Sequence, residues 1–311
     1  MDNEDPVFLC GALRTGTTVL GLMLRYHPEI IAPGEFDFLF DNLDDAGNFP
    51  DTQSYLNQLT TNRIFNAHQL NVDAGSSFEE NIYSFISQLG NQGKLLSLNV
   101  HRNFNRIPFL FPKARYIHLM RDARDVARSS IGMGWSGNVF YGVDHWINTE
   151  LSWDKLKPNL DKTQYIEVRF EELITRPEEV LERICNFLNL SFSEKMLDYA
   201  DNTTYSKPDV SLTRQWERKQ SRREVQLVEY KAGDMILSQG YELSGYAKIK
   251  PGIVERFVLL IQNKIFRFKY SVRHFGLKLY FLEKLTRIPV LKKWRPYCLL
   301  EMNKLKLKLI K

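Results

Sequence analysis

A glycine-containing loop near the N-terminus has the residue types and the spacing to bind a phosphate group. The apolar run of residues 7–10 leads into Gly11, and Gly16 follows five residues later. Glycines let the backbone turn sharply and approach an anion closely, and the free N–H groups of a following helix attract it. The spacing is that of a Walker A loop, except that Thr17 stands where the lysine should be. The loop therefore predicts phosphate binding, with Arg14 as the source of positive charge.

A second possible anion-binding pair follows the apolar segment of residues 116–120. Arg121 ends this predicted strand, and Ser129 lies eight residues later, two turns along a predicted helix. An arginine at a strand end and a serine on the next helix can hold one phosphate between them. A Walker B strand would present an acid here to hold Mg²⁺, so we expect arginine to compensate the charge without a metal. We expect the neighbouring Arg124 and Asp125 to form exposed helix pairs worth about 0.2–0.5 kcal/mol each.

Three charged residues are candidates for proton transfer and charge stabilisation. Glu35 follows residues 30–34, a segment whose proline and glycine predict a loop. The predicted strand of residues 95–100 delivers His101 and Arg102 to its C-terminal end. Open α/β folds bind their ligands at that edge of the sheet. A solvated glutamate and a basic surface pair are the alternatives, because position alone does not bring a side chain into a site.

Two further segments could border a site. Residues 132–138 are too rich in glycine for a helix and include Trp135, as in loops that line substrate pockets. Residues 211–223 are basic and hydroxyl-bearing around Trp216. This stretch predicts either a lid that folds over a bound anion or a solvated, basic helix start.

Apolar strands alternate with amphipathic helices along most of the chain. The predicted strands are residues 7–10, 95–100, 116–121 and 165–170. Ser77 with Glu80 forms a capping box and Pro177 opens a helix, whereas residues 41–76 predict a loop-rich insertion with one short helix. This alternation predicts an α/β, P-loop-like three-layer fold with a central parallel sheet flanked by helices.

The charge distribution divides the chain before Pro251. Residues 251–311 carry 15 Lys and Arg and three acidic residues, whereas residues 1–250 carry 27 and 34. In the tail, basic residues alternate with aliphatic and aromatic ones, which predicts a basic, amphipathic, helical C-terminal extension. We therefore expect a main domain over residues 1–250 and an extension over residues 251–311. The extension either contacts an anionic membrane peripherally or packs against the domain.

The cysteines and the N-terminus predict a cytoplasmic protein. Cys10, Cys185 and Cys298 are far apart and lack metal-ligand spacing, which favours a reducing compartment over a disulfide framework. The acidic N-terminus does not have the pattern of a signal peptide, and the sequence has no apolar run of about 18 residues. Zinc-finger spacing and RNA-binding aromatic motifs are also absent from the sequence, so we expect no nucleic-acid partner.

Together these features resemble the sulfotransferases that use 3′-phosphoadenosine 5′-phosphosulfate (PAPS), in their broad soluble and tyrosylprotein-type branch. Residues 14–18 look like the 5′-phosphosulfate loop of that family. Arg121 with Ser129 looks like its 3′-phosphate motif, including the eight-residue step. Phe170 stands where the family has a tyrosine that contacts the adenine, and residues 213–216 look like the region that closes over the nucleotide.

The resemblance covers residues 5–245 and implies a sulfotransferase catalytic domain. The implied reaction moves the sulfuryl group of PAPS to a hydroxyl or amine acceptor and releases adenosine 3′,5′-bisphosphate (PAP), without a metal ion. The donor-binding residues that the resemblance implies are Arg14, Thr15, Gly16, Thr17, Thr18, Arg121, Ser129, Phe170, Thr213 and Arg214.

The same resemblance implies catalytic roles for three side chains. Arg14 is expected to stabilise the oxygen that leaves with PAP. Glu35 is the expected base, because it matches the distance from Arg14 at which tyrosylprotein sulfotransferases carry a glutamate. His101 is the alternative base, since many other members use a histidine on a different strand. Arg102 is the available substitute for the lysine that the family usually has.

Two other classes of function are compatible with parts of the sequence. A P-loop kinase or NTPase with a degenerate loop would bind ATP with Mg²⁺, and a membrane-surface or nucleic-acid adaptor would act through the basic tail. Neither explains why Arg14, Arg121 and Ser129 occur together. The acceptor is left open by the sequence, which is compatible with a sugar, a phenol, a lipid or a peptide tyrosine.

Overall fold

The computed structural model of the protein describes residues 5–90, 93–204, 207 and 209–309. Within these residues, five parallel strands form one sheet in the order β2-β3-β1-β4-β5. The strands are Val7–Cys10 (β1), Ile30–Glu35 (β2), Leu95–Val100 (β3), Arg115–Met120 (β4) and Tyr165–Arg169 (β5). β1 is the central strand and all its residues are buried, as the continuous apolar sequence of a parallel strand predicts.

Helices cover both faces of the sheet and form the C-terminal part of the described chain. The first seven are Thr17–Arg25 (α1), Thr52–Leu59 (α2), Arg63–His68 (α3), Phe78–Gln88 (α4), Ala123–Gly132 (α5), Val139–Gly142 (α6) and Asp144–Leu156 (α7). The later ones are Phe170–Thr175 (α8), Pro177–Phe187 (α9), Gln215–Lys219 (α10), Arg222–Ser238 (α11), Ile253–Leu285 (α12) and Arg295–Leu309 (α13). The predicted three-layer α/β fold with its helical C-terminal part is confirmed.

Local sequence signals account for several helix starts. Ser77 and Ser221 form capping boxes at the beginning of α4 and α11, and Pro177 occupies the first position of α9. A capping box satisfies two backbone groups that the first helical turn leaves without partners, and proline at the first position sacrifices no hydrogen bond. These helices therefore begin where the sequence predicts.

Two apolar layers hold the helices on the sheet. On one face, Phe8 of β1 packs against the rings of Phe40, Phe111 and Tyr116. On the other face, Leu9 of β1 belongs to a cluster with side chains of α1 and α9. Successive residues of a strand point to opposite faces, so one short strand supports both layers. The loop that follows β1 is thereby fixed from both sides.

The region around Glu35 differs from the predicted loop. Residues 30–35 form β2, an edge strand beside β3, and the register shifts between Ile31 and Gly34. An edge strand tolerates Pro33 because one side of its backbone is not paired, and the register shift is typical of a bulge. Glu35 is consequently the last residue of a strand, and the proline and glycine mark an irregular edge.

The insertion of residues 41–76 contains two short helices, α2 and α3, where the sequence predicted one. The side chains of Asp51 and Asn62 cap these helices by accepting N–H bonds from their first turns. Tyr55 of α2 and Phe65 of α3 belong to the same buried apolar cluster as Phe8 of β1. Helices this short are marginal alone, so burial of these rings stabilises them.

The C-terminal part consists of α12 and α13, and α12 bends at Gly276. There φ is 77° and ψ is 156°, a conformation that glycine adopts without a steric penalty. On α13, the Asn303 side chain donates to the backbone carbonyl of Thr61 at 2.9 Å. Within the described ranges, no helix combines the length and the apolar character needed to cross a bilayer.

The three cysteines serve packing. Cys10, Cys185 and Cys298 are buried free thiols. Burial raises the pKa of Cys185 to about 11 and that of Cys10 well above its ordinary value. Since the thiolate is the reactive form and a raised pKa disfavours it, both side chains are unreactive thiols.

The substitution Phe8→Ala tests the central apolar layer. The ring is fully buried, so its removal leaves a cavity at the centre of the sheet and should lower the free energy of unfolding by about 3–5 kcal/mol. Urea unfolding followed by circular dichroism measures the change. Val72→Ala, at an exposed position, should change the free energy by about 0.5 kcal/mol or less. An equally small effect of Phe8→Ala would contradict the core described above.

Candidate active site

The C-terminal ends of the five strands deliver five candidate residues to one edge of the sheet. From β1 to β5 these residues are Gly11, Glu35, His101, Arg121 and Phe170. After β1 the chain moves toward the edge of the sheet formed by β2, and after β4 it moves toward the opposite edge, formed by β5. A topological switch point therefore lies between β1 and β4, and ligands of open α/β sheets bind at such points.

The loop between β1 and α1 has a backbone suited to an anion. Arg14 and Gly16 have positive φ angles of 76° and 99°. Gly16 directly precedes α1. Because glycine has no side chain, it cannot cap the free N–H groups of the first turn of α1. The first-turn residues Thr17 and Thr18 are uncharged, so the positive end of the helix dipole is not neutralised within that turn. Thr15 Oγ1 donates to a loop carbonyl at 2.7 Å and stabilises the turn.

The structure brings Arg14, Arg121 and Ser129 into direct contact. Arg14 Nε donates to Ser129 Oγ at 2.9 Å, and an η-nitrogen of Arg121 donates to the Arg14 carbonyl at 3.0 Å. The other η-nitrogen of Arg121 donates to the Leu212 carbonyl at 2.7 Å. Arg121 Nε is buried and has no hydrogen-bond partner among the described residues. Burial lowers the pKa of Arg121, against the opposing charge of Asp125.

Phe170 lies between the loop and Arg121. The Arg121 guanidinium carbon is 4.2 Å from the centre of the Phe170 ring. A Cβ on Gly16 would come within 2.4 Å of the same ring, so the close contact requires glycine. Phe170 is only 3% exposed. The ring supports the phosphate loop in this structure, and its predicted contact with adenine stays a prediction.

The two candidate bases, Glu35 and His101, are neighbours. His101 Nε2 lies 3.7 Å from Glu35 Oε1, and His101 Nδ1 lies 3.0 Å from the Gly11 carbonyl, to which it must donate. The His101 backbone N–H donates to Asp37 Oδ1 at 2.8 Å. The side chain of His101 is 3% exposed and that of Glu35 is 36% exposed. Glu35 is therefore the more accessible of the two.

The charges around this pair shift both pKa values toward the charged forms. His101 lowers the pKa of Glu35, with burial acting in the opposite direction. Burial alone would lower the pKa of His101, but Asp37 and Glu35 together raise it above its ordinary value. A carboxylate next to an imidazolium is the arrangement that these shifts favour.

Arg102, the predicted substitute for a lysine, is held by an acidic neighbour. Its Nε and an η-nitrogen donate to the two carboxylate oxygens of Asp41 at 2.7 and 2.6 Å. His101 and Arg102 line a cleft of about 660 Å³ together with Leu13 of the phosphate loop. Most of its other lining side chains are polar or charged, including Asn148. The cleft is thus suited to a polar molecule.

Thr213 and Arg214 each have a polar partner within their own segment of the chain. Thr213 Oγ1 donates to the Val210 carbonyl at 2.8 Å, and Arg214 forms an ion pair with Glu217. Both residues line a second cleft of about 530 Å³. The neighbouring Leu212 joins their segment to Arg121, because its carbonyl accepts a hydrogen bond from the Arg121 guanidinium.

The prediction of exposed ion pairs at Arg124 and Asp125 is wrong, because both side chains are buried. Arg124 donates to Asp122 and to Glu229, both at 2.7–2.9 Å, and its guanidinium lies 3.7 Å from the centre of the Trp216 ring. Asp125 accepts the Trp216 backbone N–H at 2.7 Å, and burial raises its pKa to about 6. Segments far along the chain cover these residues, which a local charge pattern cannot indicate.

Three polar residues near the site were not predicted. Asp37 accepts the backbone N–H of His101, the Asn99 side chain lies 3.4 Å from the Thr17 carbonyl, and His145 Nε2 lies 3.0 Å from the Leu13 carbonyl. Asp37 and Asn99 are polar residues within largely apolar segments, which was a usable signal. His145 lies on a helix with no such contrast, and only the fold brings it to the loop.

The chain is similar to known proteins over most of this region. It is 29% identical over 211 residues to a putative protein-tyrosine sulfotransferase of Caenorhabditis briggsae, covering 63% of this chain and 69% of that protein. It is 38% identical over 99 residues to a putative protein-tyrosine sulfotransferase of Caenorhabditis elegans, covering 30% of this chain and 38% of that protein. The chain therefore spans well under half of the second relative.

Solved structures share the fold. The sulfotransferase domain from the curacin biosynthetic pathway superposes with a TM-score of 0.57 at 19% identity, covering 77% of this chain and 99% of that domain. The sequence pattern of the sulfotransferase family matches residues 6–194, a range that contains the phosphate loop, Glu35, His101, Arg121, Ser129 and Phe170. With this match over more than half of its length, the chain belongs to the sulfotransferase family.

Proposed function

We propose that the chain transfers the sulfuryl group of PAPS to a hydroxyl acceptor without a metal ion. The contact of Arg14, Arg121 and Ser129 beside the start of α1 is the observation that carries this proposal. These groups suit a ligand with two phosphate positions, because the start of α1 offers one anion site and Arg121 with Ser129 offers a second. Arg121 also keeps a buried Nε that no described residue satisfies. Membership of the sulfotransferase family supports the same donor.

The chain's own residues divide between two ends of such a donor. The backbone N–H groups of residues 15–18 and the hydroxyl groups of Thr17 and Thr18 bind the 5′-phosphate. Arg121 and Ser129 bind the 3′-phosphate, and Thr213 with Arg214 closes over the nucleotide. PAPS, when bound, supplies a sulfuryl group on a phosphate that leaves as part of PAP.

Arg14 and Glu35 carry the proposed chemistry. Arg14 stabilises negative charge on the leaving oxygen, since charge that develops in a transition state is best stabilised by preorganised donors. Glu35 accepts the proton of the acceptor hydroxyl. Its partly exposed carboxylate can meet an acceptor, whereas His101 is buried with both ring nitrogens facing neighbours. His101 thus orients Glu35, and Asp37 orients His101.

The cleft of about 660 Å³ beside His101 is the proposed acceptor site. Its polar lining fits a hydroxyl-bearing group, and a protein tyrosine is the first candidate because relatives are named for that acceptor. Residues 1–250 are the proposed catalytic domain and residues 251–311 the extension. A cytoplasmic location and a peripheral membrane contact through the extension belong to the same proposal.

PAP binding tests the donor site. PAP at about 100 times its Kd should stabilise the folded protein by about 2.7 kcal/mol, measured by thermal unfolding with and without EDTA. Arg121→Ala should weaken PAP binding at least about tenfold, because a charge-assisted hydrogen bond contributes about 1.5–3 kcal/mol. Arg176→Ala, at a largely exposed ion pair of α9, is the matched control and should leave the affinity unchanged.

Two outcomes would contradict this donor assignment. Equal PAP affinity of Arg121→Ala and Arg176→Ala would remove Arg121 from the site. Stabilisation by ATP only in the presence of Mg²⁺, without stabilisation by PAP, would assign the loop to a kinase or NTPase.

Glu35→Gln tests the base. The substitution should lower kcat by about 10²- to 10⁴-fold, the usual contribution of general-base catalysis, and should leave PAP affinity unchanged. Transfer of labelled sulfate from PAPS to an acceptor found by screening tyrosine peptides measures this. Glu29→Gln, at an exposed position before β2, should have the kcat of the unmodified protein. Full activity of Glu35→Gln would place the base elsewhere.

The pH profile of kcat/KM distinguishes the two candidate bases. A base loses activity as pH falls through its pKa. With Glu35 as the base, the acid limb should lie below the ordinary glutamate value of 4.5, because His101 lowers that pKa. His101→Gln removes this neighbour and should move the limb to higher pH. An acid limb above 6.5 in the unmodified protein would instead assign the base to His101, whose pKa is raised.

A further inference from the structure

The N-terminal part of α12 is attached to the catalytic domain by one face, which we call the inner face. Its residues recur at intervals of three or four and are Glu255, Leu259, Asn263, Phe266 and Tyr270. Asn263 Oδ1 accepts the backbone N–H of Gly137 at 2.7 Å. The Tyr270 ring occupies the space where a Cβ of Gly134 would lie. The inner face thus holds the glycine-rich loop that follows α5.

The opposite side of the same helix, the outer face, is apolar and exposed. At 3.6 residues per turn the members of this face lie about half a turn away from the inner face. They are Ile253, Val254, Phe257, Val258, Ile261, Ile265 and Phe268. Ile253 is 89% exposed, Val254 76% and Phe257 63%. More than half of the exposed large apolar side chains of the described residues lie in α12 and beyond it. Exposed apolar surface is therefore concentrated in the C-terminal helices.

Basic side chains flank the outer face on both sides. Lys264 and Arg267 lie along one flank, and Lys269 lies along the other. All three are exposed, and none forms an ion pair with another described residue. The whole extension carries 15 Lys and Arg against three acidic residues. An apolar stripe between two cationic rows is typical of helices that lie in the interface of an anionic membrane.

A groove runs beside the outer face. It has a volume of about 630 Å³ and lies between α5 and α12. Ile131 of α5 and Phe257, Ile261 and Ile265 of α12 give it an apolar lining. Arg128 and Lys269 add two cations to its wall, against the one carboxylate of Glu224. An acyl chain below an anionic headgroup matches this combination of apolar lining and positive charge.

We propose that the outer face of α12 docks on the surface of a bilayer that contains anionic lipids. A second copy of the chain is the less suitable occupant, because two outer faces in contact would bring like-charged rows together. The apolar side chains enter the boundary between headgroups and acyl chains, and each nearby Lys or Arg adds to the attraction of the anionic headgroups. Docking through this face specifies the peripheral membrane contact proposed above, and it does not depend on the sulfuryl transfer itself.

Vesicle co-sedimentation of the full chain tests this surface. The protein should bind vesicles of phosphatidylcholine mixed with phosphatidylserine, should bind pure phosphatidylcholine more weakly, and should lose affinity as salt rises. The double substitution Phe257→Ser with Ile261→Ser should weaken binding at least about tenfold, because two apolar side chains no longer enter the bilayer. Lys264→Glu with Arg267→Glu should also weaken binding, and only to the anionic vesicles.

Controls separate docking from folding and from catalysis. Leu237→Ser, at an exposed apolar position of α11, should bind the anionic vesicles like the unmodified chain. Thermal unfolding with PAP, measured on each variant, shows that the fold and the donor site are intact, so a failure of docking is distinguishable from a failure of the proposed function.

Three results would overturn the docking surface. They are the absence of vesicle binding by the unmodified chain, equal binding by the Phe257→Ser, Ile261→Ser variant, and a dimer in light scattering that this variant abolishes. The last result would assign the outer face to a second copy of the chain.

Discussion

The active-site geometry depends on the contact of one cation, one ring and one glycine. The Arg121 guanidinium lies 4.2 Å from the centre of the Phe170 ring, and the ring lies against Gly16 at a distance that excludes a Cβ. Arg121 also donates to the Arg14 carbonyl. The ends of β1, β4 and β5 are therefore joined at one point. Any larger residue at Gly16 would separate them, whatever the rest of the sheet does.

Short-range sequence patterns predicted the phosphate loop and the pair Arg121 and Ser129 as neighbours of one candidate site, and could not predict the contact between the candidate bases. Residues 14–18 and the pair Arg121 and Ser129 each lie within one strand-to-helix connection, so spacing along the chain fixes their geometry. Glu35 meets His101 because β2 pairs with β3 with Glu35 opposite Asn99. Strand register is a tertiary property, and no local pattern specifies it.

The errors of sequence-based prediction have the same origin. Arg124 and Asp125 have the alternating charges of an exposed helix, but α11 and the segment around Trp216 cover them and supply their partners. The proline and glycine before Glu35 indicate a break in regular structure, and the sheet accommodates that break at its edge. In each case the residue type indicated a local property, a charge or a break in regular structure. The burial and the partners of the residue were set by distant parts of the chain, which the local sequence does not show.

The central place of β1 also has a consequence for the order in which the protein folds. β1 is made before its partner strands, which begin near Ser97 and Arg115, and before Phe170, whose ring supports its loop. At about 5–20 residues per second, a ribosome needs on the order of ten seconds to synthesise the intervening chain. During that time a fully apolar strand has no native partner. β1 therefore completes its pairing well after its own synthesis, and until then it is exposed to misassembly.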